Sequence, residues 1–122
     1  MASTKVTTAL FNGSTLTAAA VDTHSSTIDL TDGYGGALHA KLTNGASGPT
    51  VAAQVQIRVS GDGAEWYDLG GALVGGTGNA GIYDWGGIPI DIGIEHAYVA
   101  GGSNTGEDVT ADVDITEVTA LT

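Results

Sequence analysis

Carboxylates are the residues of this chain best suited to chemistry, and six of them form close pairs. The pairs that could converge on a cation are Asp29 with Asp32, Asp62 with Glu65, and Glu107 with Asp108. Calcium takes several oxygen ligands from one loop, but none of these pairs stands in a calcium-loop motif. Glycosidases need two positioned acids beside a sugar groove, whereas these acids suit turns and the polar sides of strands. We therefore predict no catalytic residue, no metal site and no cofactor, and leave open whether a divalent cation collects at an interface.

The histidines and the glycine-rich segment indicate no site either. His24, His39 and His96 lack the spacing of a zinc site, and no Ser or Cys beside them forms a recognisable activated nucleophile. Residues 70–87 are dense in glycine, but no Gly-Lys-Ser/Thr follows, so the segment is not a phosphate-binding loop. We predict that the protein is not an enzyme.

Charge and composition exclude several classes of partner. The chain has 122 residues, with 14 Asp and Glu against three Lys and Arg, and a formal net charge of −11. Nucleic acids and anionic membranes both attract clustered Lys and Arg, so we predict neither as a partner. The absence of cysteine excludes disulfides and thiolate metal sites. The start lacks the apolar run of a signal peptide, so we expect synthesis in the cytoplasm.

The elements that must position these residues are visible as alternation of apolar and polar residues. Val51–Val59 and Val109–Thr116 alternate with period two, as half-buried strands do. Further strands are predicted at Leu16–Val21, His24–Leu30, 38–43, Ile82–Trp85, Ile88–Ile92 and Ile94–Ala100. About seven or eight short strands without an amphipathic helix predict an all-β fold, an antiparallel β-sandwich or jelly roll.

We predict one β-sandwich domain over residues 18–122. Residues 1–17 are rich in Ser, Thr and Ala, which suits either an extended N-terminal arm or a flexible segment. As an arm, this segment would dock Val6, Leu10 and Phe11 on a neighbouring subunit. Twenty glycines and only seven aromatic residues predict a thin core, which neighbouring subunits would help to stabilise.

Four further aromatic residues are candidate interface residues: Trp66, Tyr67, Tyr83 and Trp85. Adjacent side chains on a strand point to opposite faces, so Trp66 or Tyr67 faces outward or lies under a loop. An exposed aromatic ring can stack on a sugar or anchor a protein contact. A carbohydrate-binding β-sandwich module, with carbohydrate as the partner, therefore stays an alternative.

Three runs of residues resemble small virion proteins of tailed bacteriophages. They are Val-Ser-Gly-Asp-Gly-Ala-Glu-Trp-Tyr-Asp-Leu (59–69), Gly-Ile-Tyr-Asp-Trp (81–85) and Ala-Gly-Gly-Ser-Asn-Thr-Gly-Glu-Asp-Val-Thr-Ala-Asp-Val (100–113). The resemblance spans most of the chain after residue 30. It implies a non-enzymatic decoration or cement protein on the outer capsid surface. The major capsid protein and copies of the chain itself, in a dimer or trimer, would be its partners.

A tail, baseplate or fibre component of the virion is the alternative within the same structural class. The charge agrees with an outer location, because a strongly negative protein is repelled by DNA packaged inside a head.

Overall fold

The computed structural model describes residues 3–18, 22–31 and 33–121, and all of its regular elements are β-strands. The strands are β1 (Ser3–Leu16), β2 (Thr23–His24), β3 (Ile28–Asp29), β4 (Gly36–Asn44), β5 (Gln54–Ser60), β6 (Tyr67–Asp68), β7 (Leu73–Val74), β8 (Ile82–Ile90), β9 (His96–Gly102) and β10 (Val109–Leu121). Within the described residues no helix is long and apolar enough to cross a bilayer. The predicted all-β antiparallel fold is confirmed.

Two antiparallel sheets form a sandwich. Sheet A has the order β1-β10-β4-β8. In sheet B the central strands are β9 and β5. The short strands β2 and β3 pair with β9, and the short strands β6 and β7 pair with β5. If β2 with β3, and β6 with β7, are each counted as one interrupted strand, both sheets have four strands. The chain then crosses from one sheet to the other at every connection except that from β5 to β6. This is a jelly-roll arrangement.

The inward side chains of both sheets form one core. Its buried members include Leu38 and Leu42 on β4, Val55 and Ile57 on β5, Val99 on β9, and Val109, Val113 and Ile115 on β10. Ala40, Ala53, Ala97 and Ala111 also lie in this core. Because side chains alternate along each strand, the polar residues between these positions lie on the outer faces of the sandwich.

The N-terminal segment is not the separate arm or flexible segment that we expected. Ser3–Leu16 pairs antiparallel with β10 and forms one edge of sheet A. Register shifts on both sides of Phe11 are β-bulges, and Phe11 is only 4% exposed, within the core. The sandwich therefore begins at β1 and not at residue 18.

The other predicted strands differ from the observed ones mainly at their ends. Ile82–Trp85 and Ile88–Ile92 are parts of the single strand β8, whereas His24–Leu30 is divided into β2 and β3. Of the predicted strand Leu16–Val21, Leu16 instead ends β1, and residues 19–21 lie outside the described residues.

Candidate functional site

The outer surface of sheet A carries two adjoining grooves, which we together call the groove face. Their volumes are about 630 and 340 Å³, and His39 lines both. The register between β4 and β8 shifts between Leu38 and Ala40, where a bulge bends the sheet. The charged and titratable residues of the groove face are Lys5, His39, Lys41, Asp84, Asp112 and Asp114.

Strand register sets the electrostatics of the groove face. Lys41 lies directly between Asp112 on β10 and Asp84 on β8, so it has an acidic neighbour on both sides. The half-exposed His39 places its Nδ1 3.5 Å from Asp114 Oδ1. The backbone N–H of Gly13 donates a 2.8 Å hydrogen bond to Asp112 Oδ1. The groove face can thus offer a partner both charges and hydrogen bonds.

Charge is distributed unevenly between the groove face and the remaining surface. Two of the three basic residues and three of the 14 acidic residues lie on this face, which gives it a net charge of −1. The rest of the chain therefore carries −10 of the total −11. The groove face therefore presents nearly balanced charge to a partner, although the chain as a whole is strongly acidic.

The outer face of sheet B holds a cluster that we call the aromatic patch: His24, Trp66 and Tyr98. The centroid of the Tyr98 ring lies 4.9 Å from that of Trp66, with an angle of 68° between the ring planes. The centroid of the His24 ring lies 5.4 Å from that of Tyr98, with an angle of 41° between the planes. Arg58 is the cross-strand neighbour of Tyr98, and its Nε lies 3.0 Å from Asp68 Oδ1. That Nε makes no hydrogen bond, so its contact with Asp68 is an ion pair without hydrogen-bond alignment.

Tyr98 is a candidate functional residue that our sequence analysis did not select. The alternation within Ile94–Ala100 contained the relevant signal, because Ala97 and Val99 are buried and Tyr98 points the opposite way. Its contact with Trp66 depends on how the chain between β5 and β6 folds over the sheet.

The seven predicted interface residues do not form one surface. Val6, Leu10 and Phe11 belong to β1, and Tyr83 and Trp85 belong to β8 at the opposite edge of sheet A. Tyr67 begins β6 of sheet B, and Trp66 directly precedes it. Val6 is 45% exposed and Tyr67 59%, whereas Phe11 is buried and the other four are partly buried. Their role in contacts between chains stays a prediction.

Tyr67 and Tyr83 differ in what holds them. The hydroxyl of Tyr67 donates a 2.8 Å hydrogen bond to Glu65 Oε2, which raises the pKa of Tyr67. The hydroxyl of Tyr83 accepts a hydrogen bond from the N–H of Gly78. A Cβ atom added at Gly76 would lie 2.5 Å from Tyr83 Cζ, so the glycine-rich loop leaves the space that this ring occupies. Tyr83 is thus a support for the loop.

The paired carboxylates have structural partners. Asp62 Oδ1 accepts hydrogen bonds from the N–H groups of Glu65 and Ala64 and from the Ser60 hydroxyl, which hold the pKa of Asp62 below its ordinary value of 3.8. Hydrogen bonds from Thr31 likewise lower the pKa of Asp29.

Asp108 Oδ1 accepts a 2.8 Å hydrogen bond from the N–H of Ala18, and Asp32 lies outside the described residues. In the part of the chain that the structure describes, no group of three or more His, Cys, Asp or Glu could hold a metal ion. Asp29 and Asp62 thus fix turns, whereas Asp108 joins two segments that are distant in the sequence.

Comparison with known proteins identifies the fold. Neither a protein-family model nor a curated protein matches this chain. The SPBc2 prophage-derived protein YomS superposes with a TM-score of 0.54 at 14% identity, over 95% of this chain and 96% of that one. A chain of infectious bursal disease virus, Gx strain, superposes with a TM-score of 0.60 at 8% identity. That match covers 94% of this chain but only 32% of the viral one. At these identities, the likeness shows a shared β-sandwich fold.

Proposed function

We propose that this protein is a non-enzymatic structural component of a tailed-phage virion, a decoration protein that binds the outer surface of the capsid through its groove face. The uneven charge carries this proposal. The groove face bears a net charge of −1 and the remainder of the chain −10. A face of nearly balanced charge can contact a partner with less repulsion than the total charge of −11 would suggest. The fold shared with a prophage-derived protein along nearly the whole length of both chains is consistent with this role.

The geometry suits weak contacts repeated over a symmetric shell. The groove face is open to solvent and offers no deep cavity, so a single copy would bind modestly. Copies that also bind one another hold each other in place on the shell, since each further contact is effectively intramolecular. The partners are the major capsid protein and other copies of this chain, and the location is the outer capsid surface. The net charge of −11 also disfavours an inner location beside packaged DNA.

Binding to capsids that lack the protein tests this proposal. Because the chain has no cysteine, a single introduced cysteine can carry a polyethylene glycol chain at a chosen site. Thr110→Cys places it on the exposed outer side of β10, two residues from Asp112. Thr27→Cys places it at an exposed position between β2 and β3, at the edge of sheet B. We expect the unmodified protein and the Thr27 conjugate to cosediment with capsids in a fixed ratio, and the Thr110 conjugate to stay in solution.

Each contrary result has a defined meaning. If the unmodified protein does not bind, the decoration role is wrong, and electron microscopy that places it in the tail or fibre would support the alternative. If both conjugates bind equally, the groove face is not the attachment surface.

The aromatic patch favours a second candidate function, carbohydrate binding on sheet B. Partly exposed aromatic rings next to Arg58 and Gln56 could combine stacking on a sugar ring with hydrogen bonds to its hydroxyls. Trp66→Ala should abolish binding on a glycan array. Tyr67→Ala is the matched control, because the neighbouring ring is exposed but not part of the aromatic patch. An array without bound glycans, or equal loss in both variants, would contradict this function.

A further inference from the structure

We infer that two copies of this protein pair through the free edge of β1, at Lys5–Ala9, so that sheet A continues across a two-fold axis into a second copy. The inference rests on the proposed self-association and names its surface. It does not need a capsid, so it can fail or hold independently of the decoration role.

β1 is the longest edge strand among the described residues. It has 14 residues, which extend over about 46 Å, and among the described residues it pairs only with β10. The strands at both edges of sheet B have two residues each. The opposite edge of sheet A, β8, contains Pro89, which discourages edge pairing, and it has a register shift between Leu38 and Ala40 of its partner strand. β1 has no proline, its single charge is Lys5, and its register shifts all lie outside Lys5–Ala9.

The regular part of β1 defines where a second copy would pair. Lys5–Ala9 pairs with β10 without interruption, and register shifts lie on both sides of this segment. Beyond the bulges, the N–H of Gly13 is already bonded to Asp112. An antiparallel pair centred on Thr7 places Thr7 opposite its own copy and Val6 opposite Thr8. β-Branched cross-strand pairs of this kind are favourable, and they would cover Val6, which is 45% exposed.

The charge distribution favours a second copy at this edge. All 14 acidic residues follow residue 21, so β1 contains none. The nearest carboxylates along the edge lie one strand inward, on β10. In the dimer the two β10 strands are three strand spacings apart, about 14 Å, which exceeds the Debye length of about 8 Å in physiological salt. Two chains with a charge of −11 can therefore approach along β1 with little repulsion.

Disulfide trapping tests the geometry of the full-length protein directly. In the proposed dimer two Thr7 Cα atoms are about 4.5–5.5 Å apart, within the range of a disulfide. Thr7→Cys should therefore form a covalent dimer under mild oxidation. Asn12→Cys, exposed on the same strand, is the control, because its two copies would be about 33 Å apart. Cross-linking of both variants to the same extent, or of neither, would overturn the inference.

Sedimentation equilibrium with two matched variants supplies the second test. Thr7→Glu and Thr7→Gln both remove the 2.8 Å hydrogen bond between the hydroxyls of Thr7 and Thr116. Only Thr7→Glu also places two negative charges, one from each copy, opposite each other at the two-fold axis. We expect the dimer dissociation constant of Thr7→Glu to exceed that of Thr7→Gln by about tenfold, and added salt to narrow the difference. A monomeric wild-type protein, or equal constants for the two variants, would refute pairing through β1 while leaving the capsid-binding test unaffected.

Discussion

Replacing Phe11 with alanine tests whether β1 is part of the core. Phe11 is 4% exposed, and a Cβ atom added at Gly101 on β9 would lie 3.2 Å from Phe11 Cε2, so the ring reaches across to sheet B. Truncation removes this buried ring and leaves a cavity, which costs about 3–5 kcal/mol. A single domain has a free energy of unfolding of about 5–15 kcal/mol, so the expected loss is a large part of the total.

Urea unfolding followed by tryptophan fluorescence measures this loss, since Trp85 packs against the core. With a slope of about 2 kcal/mol per molar urea, the midpoint of Phe11→Ala should fall by roughly 2 M. Val6→Ala, on the same strand at 45% exposure, should lose less than about 1 kcal/mol. Measurement at two low protein concentrations separates chain stability from dimer formation.

Equal midpoints for the Phe11→Ala and Val6→Ala variants would refute the reasoning. Phe11 would then not be buried within its own chain, and the N-terminal arm expected from the sequence would again be the better description. An intermediate loss with an unchanged slope would instead indicate that the surrounding residues collapse into the cavity.

Three further predictions concern single side chains away from the proposed interfaces. Gly76→Ala should destabilise the protein by about 1–3 kcal/mol, because its Cβ would lie 2.5 Å from the ring of Tyr83. Gly71→Ala has open space and should be neutral in the same urea assay. Hydrogen bonds lower the pKa of Asp62, so its contribution to stability is present above pH 3.8 and lost as the pH falls through the lowered value. The urea midpoint of Asp62→Asn should therefore fall less between pH 5 and acid than that of the wild type, and a carboxyl of Asp62 that titrates by NMR at or above 3.8 would contradict this. Asn104→Ala removes two hydrogen bonds from a fully buried amide and should cost about 1–3 kcal/mol, whereas an unchanged midpoint would show that those bonds contribute nothing.

Local alternation predicted the strands where each residue's environment depends on its own strand. In Val109–Thr116 the apolar residues Val109, Val113 and Ile115 are buried as the period of two requires. The same alternation predicted which side chains of β4 and β5 point into the core and which point outward. These predictions succeed because side-chain direction along a strand follows from backbone geometry alone.

The role of β1 could not be predicted in the same way. Its pairing partner is about a hundred residues away, as in Thr8 opposite Ile115. Its bulges, which direct Phe11 inward, depend on that pairing and have no strong local signature. Residues 1–17 therefore looked like a loosely attached segment. Interpretation of Phe11 as a contact with another subunit followed from that expectation, although its contacts lie within the same chain.

Composition and alternation thus account for the fold class, the inward faces of most strands and the strongly acidic charge, because these properties are local or additive. The candidate surfaces are not local properties. His39 lies beside Asp114, Lys41 lies between two aspartates on neighbouring strands, and Tyr98 contacts Trp66. These contacts form because the sheet register and the path of the loops bring distant segments together. Register is set by the packing of both sheets around the shared core, since a shift of one residue would turn every buried side chain outward.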